Sequence, residues 1–321
     1  IIKGLIAGIS VLSKEKISVI HARGYVSAAI GLLLKSIFKI KYIFDMRGMW
    51  AEEKVDAGVW KKYGLLFKSV KYFEKLFFRN ADTIIVLTNN AKRIISQNSY
   101  IINRKIEVIP TCTDISSFLI TSSIFLKKQM RLSGKFIVLY LGSLGTFYAF
   151  EEMVDFFSTI LKNNYVTNPY FLIITNNPSG DIQRIMKLKN LSTDDYGVKQ
   201  MTYIEVKDIL PLADVSIMFY RRILSGAGCC PTKFGESLAC GLPVIINSGI
   251  GDTEEIVEKN RIGVVVKEFN PSEYQNKICQ LMELLKEGEA LKKRCRQIAE
   301  NLLSLDIGVS KYKDIYHRLI Q

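Results

Sequence analysis

Nine short runs rich in β-branched residues, at 17–21, 42–45, 83–87, 106–109, 136–140, 170–174, 214–218, 244–246 and 263–266, alternate with helix-length stretches along this 321-residue chain. That alternation argues for parallel sheets whose strands are joined by crossover helices. Val244-Ile-Ile246 is apolar throughout, as a strand covered on both faces must be. A polar, weakly patterned stretch separates the fourth run from the fifth, so the runs form two sets. The second set reads as a complete Rossmann-like domain and the first as only the later half of a doubly wound one.

The eighteen residues 230–247, Cys-Pro-Thr-Lys-Phe-Gly-Glu-Ser-Leu-Ala-Cys-Gly-Leu-Pro-Val-Ile-Ile-Asn, carry the sharpest functional signal. Pro231 suits the first position of a helix, where a missing N–H costs nothing, and Gly241 with Pro243 ends that helix after about three turns. Lys233 and Glu236 then share one face. A cation beside the free N–H groups of a helix start suits a diphosphate, and a carboxylate one turn later suits the two hydroxyls of a ribose. The same spacing also describes an ordinary solvated ion pair, worth a few tenths of a kcal/mol.

This run resembles the signature helix of glycosyltransferase family 4 (group 1), the retaining enzymes of the two-domain GT-B fold. The matching subgroup reads P-x-K-x-x-E-x-x-A-x-G-x-P-V-I, and every fixed position is present. The resemblance covers almost the whole chain and implies an α/β architecture of two Rossmann-like domains with parallel sheets. Residues 1–117 would be an acceptor-side domain incomplete at its N-terminus, 118–305 the nucleotide-sugar-binding domain, and 306–321 a terminal helix returning to the first domain. Pro110-Thr-Cys-Thr-Asp114 stands where the family has P-N-G-V-D, which closes the first domain. Position 1 is Ile, residues 1–12 read as an amphipathic helix already in progress, and the family's first strands are missing. The chain is therefore expected to be a fragment.

Leu141-Gly-Ser-Leu-Gly-Thr-Phe147 follows the first strand of the second set. Small residues at Gly142, Ser143, Gly145 and Thr146 let backbone N–H groups reach phosphate oxygens, although they equally suit a tight turn. By resemblance this loop lies opposite the Lys233 helix. Many family members carry Arg and Lys there, and their replacement leaves the phosphate charge to Lys233, with Thr232 beside it and Arg221 or Arg222 as helpers. In Arg221-Arg-Ile-Leu-Ser-Gly-Ala-Gly-Cys-Cys230, Gly226 and Gly228 point to a backbone shaped around a ligand. The family's E-x7-E motif needs its first Glu at position 228, where Gly stands, a departure common in this subgroup. Free N–H groups of the loop are expected to substitute for it. Gly249-Ile-Gly-Asp-Thr-Glu-Glu255 matches a family loop only loosely and also reads as a helix cap with an acidic first turn.

Val19-Ile-His-Ala-Arg-Gly-Tyr25 reads as a strand and a turn, which puts His21 and Arg23 at the carboxyl edge of a sheet, where open α/β folds bind ligands. His21 is one of two histidines in the chain. A lone His at a strand end is as readily a structural hydrogen-bonding residue, but the next strand end brings Asp45, Arg47 and Glu52 to the same edge. The resemblance implies that His21 or Arg23 contacts donor sugar or acceptor, with Asp45, Arg47 and Glu52 on the acceptor side. Lys233, His21 and Arg23 form the expected catalytic set. Retaining family-4 enzymes are thought to transfer on the face the phosphate leaves, with that phosphate taking the acceptor proton. Neither a protein nucleophile nor a cofactor beyond the nucleotide sugar is then required. No D-x-D motif follows a second-domain strand, so no catalytic metal is expected, and Asp194-Asp195 reads as solvated.

The formal net charge of +13 is uneven, because residues 1–115 hold 19 Lys and Arg against 9 Asp and Glu. Within them, 60–79 interleaves Lys61, Lys62, Lys68, Lys71, Lys75 and Arg79 with Leu65, Leu66 and four Phe, against Glu74 alone. Such a helix can lie on an anionic leaflet at roughly 1 kcal/mol per basic residue, or be a surface helix with a wide core-facing stripe. Helix-turn-helix, zinc-finger and RNP-type signatures are missing, so nucleic acid is not an expected partner. No run of eighteen apolar residues exists, so no membrane crossing is expected. Six cysteines without C-x-x-C pairs fit a reducing cytoplasm. The combined expectation is a retaining, metal-independent glycosyltransferase moving sugar from a nucleotide sugar to a polysaccharide or lipid-linked acceptor. Cell-envelope polysaccharide synthesis at the inner face of the membrane is its expected setting. A non-catalytic GT-B subunit binding nucleotide or a partner is the alternative. A nucleotide-sugar epimerase would need more acid/base groups than two histidines supply.

Overall fold

The computed structural model describes residues 1–101, 103–120, 123–145 and 147–321. These form two compact units: Ile1–Thr111 with Ile223–Cys230 and Asp306–Gln321, and Cys112–Arg222 with Pro231–Leu305.

In the first unit β1 (Val19–Arg23), β2 (Lys41–Asp45), β3 (Thr83–Val86) and β4 (Lys105–Val108) make a parallel sheet in sequence order. β3 is buried end to end and β2 everywhere except Lys41, as a sheet covered on both faces demands. The helix Tyr25–Phe38 connects β1 to β2, and Leu65–Asn80 lies between β2 and β3. That second helix starts five residues later than the 60–79 pattern predicts, because Tyr63 at φ +63° and Gly64 interrupt it. β1 runs two residues beyond its expected end at 21. His21 is consequently mid-strand, paired with Ile43, while Arg23 is the last strand residue and pairs with Asp45. The turn waits for Gly24, whose φ of +83° would strain any other residue and whose N–H donates to Asp45 O at 2.9 Å.

The second unit's sheet has β5 (Phe136–Leu141), β6 (Pro169–Ile174), β7 (Tyr196–Lys199), β8 (Val215–Met218), β9 (Val244–Asn247) and β10 (Gly263–Val266). Its order is β10-β9-β8-β5-β6-β7, with every pairing parallel. This is the Rossmann order, and it switches direction between β5 and β8. β7 is a sixth strand that apolar patterning does not predict, because Tyr-Gly-Val-Lys sits half-buried at the sheet edge. The core gathers Val138, Phe156, Phe157, Phe171, Ile217 and Ile278, each worth roughly 1.5–3 kcal/mol of burial.

The signature helix spans Thr232–Ala239, two turns rather than three. Pro231 is its N-cap and not its first residue, because its ψ of 124° is still extended. Gly241 ends the helix at φ +72°, and Leu242 N–H bonds back to Ser237 O at 3.0 Å. A Cβ on Gly241 would come within 3.1 Å of Lys292 O, so tight space adds to the conformational preference for glycine.

Candidate functional site

In the second unit the carboxyl ends of β5, β6 and β7 surround a pocket of about 300 Å³, lined in part by Gly142, Ser143, Asn176, Tyr203 and Lys233. Lys233 lies in the first turn of its helix, and its Nζ is 2.9 Å from Glu236 Oε2. The Glu236 side chain is only 3% exposed whereas that of Lys233 is 30% exposed, so the carboxylate is fixed and the ammonium can reach outward. Lys233 Nζ also stands 5.9 Å from the centre of the Tyr203 ring. Tyr203 opens a helix held by a capping box between Thr202 and Glu205. Its hydroxyl is raised above the usual tyrosine value by burial, with Glu236 and Asp114 adding to the rise.

The β5 loop is braced from beneath. Tyr140 Oη donates to Ser143 O at 2.7 Å, and a Cβ on Gly142 would approach that hydroxyl to 2.8 Å. Asn177 accepts from Leu144 N–H at 2.7 Å and donates back to Leu144 O at 3.2 Å. Asn177 is signalled in the sequence only by the polar triplet Thr175-Asn-Asn177 after a buried strand, and Tyr203 by no motif. Open space surrounds the Gly145 Cβ position, and Thr146 lies outside the described residues.

Other expected donor-side residues do not join this pocket. Arg222 pairs with Glu268 at 2.8 Å and donates to Lys267 O at 2.7 Å. Thr232 is the exposed first residue of its helix. Gly226 and Gly228 belong to the first unit, in the 3-10 segment Leu224–Gly228. Asp56 takes the N–H groups of Leu224 and Ser225 at 2.9 and 2.8 Å, while Gly226 N–H bonds Ile223 O and Cys229 N–H bonds Gly226 O. Most donors expected to replace the missing Glu are therefore engaged internally. Gly228 is in any case confined, since a Cβ there would be 3.0 Å from Met49 Cγ.

The first unit brings His21, Asp45 and Arg47 together. His21 Nε2 is 3.3 Å from Asp45 Oδ2, and its Nδ1 is 2.6 Å from Tyr316 Oη on the helix Leu305–Ile320. Tyr312 of the same helix donates to Asp45 Oδ2 at 2.9 Å. Burial raises the Tyr312 hydroxyl well above its usual value, Asp45 adds to the rise, and Arg47 and Arg23 oppose it. Asp45 is wholly buried, and its Oδ1 has no hydrogen-bond partner, only Arg47 at 3.9 Å. Glu52 is drawn elsewhere: Lys71 bridges it at 2.9 Å and also pairs with buried Glu74. Lys71 thus points into the unit rather than outward.

Among the described residues, no three His, Cys, Asp or Glu gather as a metal ion would need, and no helix is long and apolar enough to cross a membrane.

Residues 135–284 match the family model described as glycosyl transferases group 1, and residues 5–117 match glycosyltransferase family 4. Spore coat protein SA of Bacillus subtilis (strain 168) is 25% identical over 199 residues, 56% of this chain. The matched region spans about half (51%) of that relative's length. Sucrose-phosphate synthase from Thermosynechococcus elongatus superposes with a TM-score of 0.75 at 17% identity, covering 99% of this chain and 77% of that one. Anabaena Alr3699/HepE in complex with UDP gives 0.76 at 13% identity, covering 98% and 82% respectively. A glycosyltransferase from Rickettsia africae ESF-5 gives 0.74 at 17%, covering 99% and 81%. At these identities the structural likeness establishes the two-domain GT-B fold.

Proposed function

The chain belongs to the group 1, family 4 glycosyltransferases, and from that premise we propose that it moves a sugar from a nucleotide-sugar donor to a polysaccharide or lipid-linked acceptor, with retention and without a catalytic metal. The observation that carries this reading is Lys233, paired with buried Glu236 at the rim of the pocket where β5, β6 and β7 end. Glu236 accepts from the ribose hydroxyls, Lys233 turns to the diphosphate, and Tyr203 offers a half-exposed ring to the base. As the sugar–phosphate bond breaks, negative charge grows on the leaving diphosphate, and the Lys233 ammonium stabilises it. The departing phosphate takes the acceptor proton on the same face. Arg23 remains an available first-unit cation, whereas His21 is held by Asp45 and Tyr316 and acts mainly by fixing the strand to the terminal helix.

A thermal-shift screen against UDP, GDP, CMP and dTDP sugars tests the reading, starting with UDP because one structural neighbour was solved with it. Binding at about 100 times the dissociation constant adds roughly 2.7 kcal/mol to the folded state, so the right donor raises the melting temperature visibly. A shift that survives both Lys233→Ala and Glu236→Ala would remove the pocket from the mechanism.

The acceptor setting extends the proposal. Before and within the helix Leu65–Asn80, Tyr63 (64% exposed), Leu65 (88%) and Leu66 (62%) stand among exposed Lys61, Lys62 and Lys68. This patch suits an anionic leaflet at the cytoplasmic face. Changing those three lysines to glutamate is expected to abolish co-sedimentation with phosphatidylglycerol vesicles. Undiminished binding would discard the membrane contact.

A further inference from the structure

A second pocket, of about 560 Å³, opens in the first unit where β1 and β2 end, and its lining includes Arg23, Tyr25, Arg47, Trp50 and Glu53. Among the described residues Arg23 has no carboxylate within 4 Å, and Arg47 has only Asp45, at 3.9 Å. That carboxylate already serves His21 and Tyr312 through its other oxygen. Two guanidinium groups therefore line one cavity with a single carboxyl, Glu53, among its lining residues, and neither is within ion-pair distance of that carboxyl among the described residues. Their planar forks match a phosphate or a carboxylate better than any neutral ligand.

The walls are fixed in place. Tyr25 donates to Glu74 at 2.5 Å and reaches Gly48 O at 3.4 Å, while the Trp50 ring lies 5.4 Å from Tyr25 and 5.3 Å from Trp60. The Glu53 carboxyl packs against the backbone of Gly48, in the space a Cβ there would take. Burial raises that carboxyl above its ordinary value, with Lys54 opposing the rise and Glu52 and Asp56 adding to it. An aromatic face for the apolar side of a pyranose, a carboxyl for a hydroxyl, and two guanidiniums make a three-point site.

We propose that this first-unit pocket binds a sugar bearing an oxyanion, either a phosphate ester or a carboxylate, with Arg23 and Arg47 on the oxyanion, Trp50 against the ring and Glu53 on a hydroxyl. That this sugar is the acceptor rests on the transferase reading; that the pocket binds it does not.

The chain has two tryptophans, Trp50 in the pocket wall and Trp60 against it, so intrinsic fluorescence reports occupancy directly. The full chain is titrated with a hexose phosphate, glucuronate, neutral glucose and inorganic phosphate, with calorimetry as a second readout. Saturable quenching by the hexose phosphate, by glucuronate or by both, at least tenfold tighter than by glucose or by inorganic phosphate, supports the site and identifies the oxyanion. Arg23→Gln and Arg47→Gln are each expected to weaken it tenfold or more, whereas Lys286→Ala, a cation lost from the second unit, leaves it unchanged. If Arg47→Gln fails to fold, exposed Arg23 carries the test alone. Equal binding of glucose, equal binding of inorganic phosphate, indifference to Arg23→Gln, or no binding of either charged sugar would each overturn the proposal. Charged-sugar binding without any nucleotide-sugar shift keeps this pocket and removes the transferase reading; the reverse pattern does the opposite.

Discussion

At the carboxyl edge of the second unit's sheet, Lys233 and Glu236 hold each other across 2.9 Å beside an open pocket. In the first unit, His21 and Asp45 are instead absorbed by Tyr312 and Tyr316 of the terminal helix. Asp45 closes β2 and the Lys233 pair borders a pocket at strand ends, where open α/β folds bind ligands, whereas His21 is mid-strand. What separates the two regions is who satisfies the polar atoms. A group already bonded within its own unit mainly stabilises that unit, whereas an i, i+3 pair at a pocket rim can exchange its partner for a ligand. Arg23 and Arg47 fall on the second side of this division despite lying in the first unit.

The sharpest way to break the comparison is through Lys233. Lys233→Ala is expected to lower kcat/KM for nucleotide-sugar turnover roughly a hundredfold to a thousandfold, as loss of one group facing developing charge does. Its cost in stability should be about 1–3 kcal/mol, because the lysine is part-exposed but the Glu236 carboxylate it leaves behind is buried. Glu236→Ala should act chiefly through a raised KM for the donor, since ribose contacts are made equally before and during the reaction. Steady-state kinetics beside urea unfolding decides the matter. Activity within a factor of a few of the parent would return the pair to the ordinary surface class.

Asp45 and His21 invert that pattern. Asp45→Ala strips a buried partner from both His21 and Tyr312, and should cost about 1–3 kcal/mol in urea denaturation. His21→Gln is expected to lower stability while leaving kcat within about tenfold, a structural signature. A hundredfold fall in kcat at unchanged stability would instead put His21 among the reacting groups.

How much of this was legible in the sequence follows the same division. The fold was, because apolar strands and the fixed positions of the 230–247 run depend on local pattern alone. β7 was not, since an edge strand needs no apolar run. Lys233 and Glu236 could be paired from helical spacing, three residues apart. The commitment of His21 to Tyr316 could not, because 295 residues separate them and only the folded unit brings them together. Arg222 and Gly226 show the same limit: a residue type suited to a ligand says nothing about whether a nearby carboxylate or loop carbonyl already claims it. The packing of Glu53 against the Gly48 backbone likewise appears only in the folded unit.

The smallest expected effect concerns Glu74, buried in the first unit and bonded to the hydroxyl of Tyr25. Burial raises its carboxyl above the ordinary 4.5, although Lys71 and the Tyr25 hydroxyl pull it down. The folded chain therefore keeps this proton at a pH where the unfolded chain has released it. The stability it contributes is fully present below about 4.5 and is lost as pH rises through the folded value. Glu74→Gln removes the titration and keeps an acceptor for Tyr25. The variant's stability relative to the parent should accordingly rise with pH across that window and then level off in urea unfolding series. A flat or falling difference would mean that the Lys71 pairing, and not burial, governs this carboxylate, and that the first unit tolerates an internal charge as well as the Lys233 helix does.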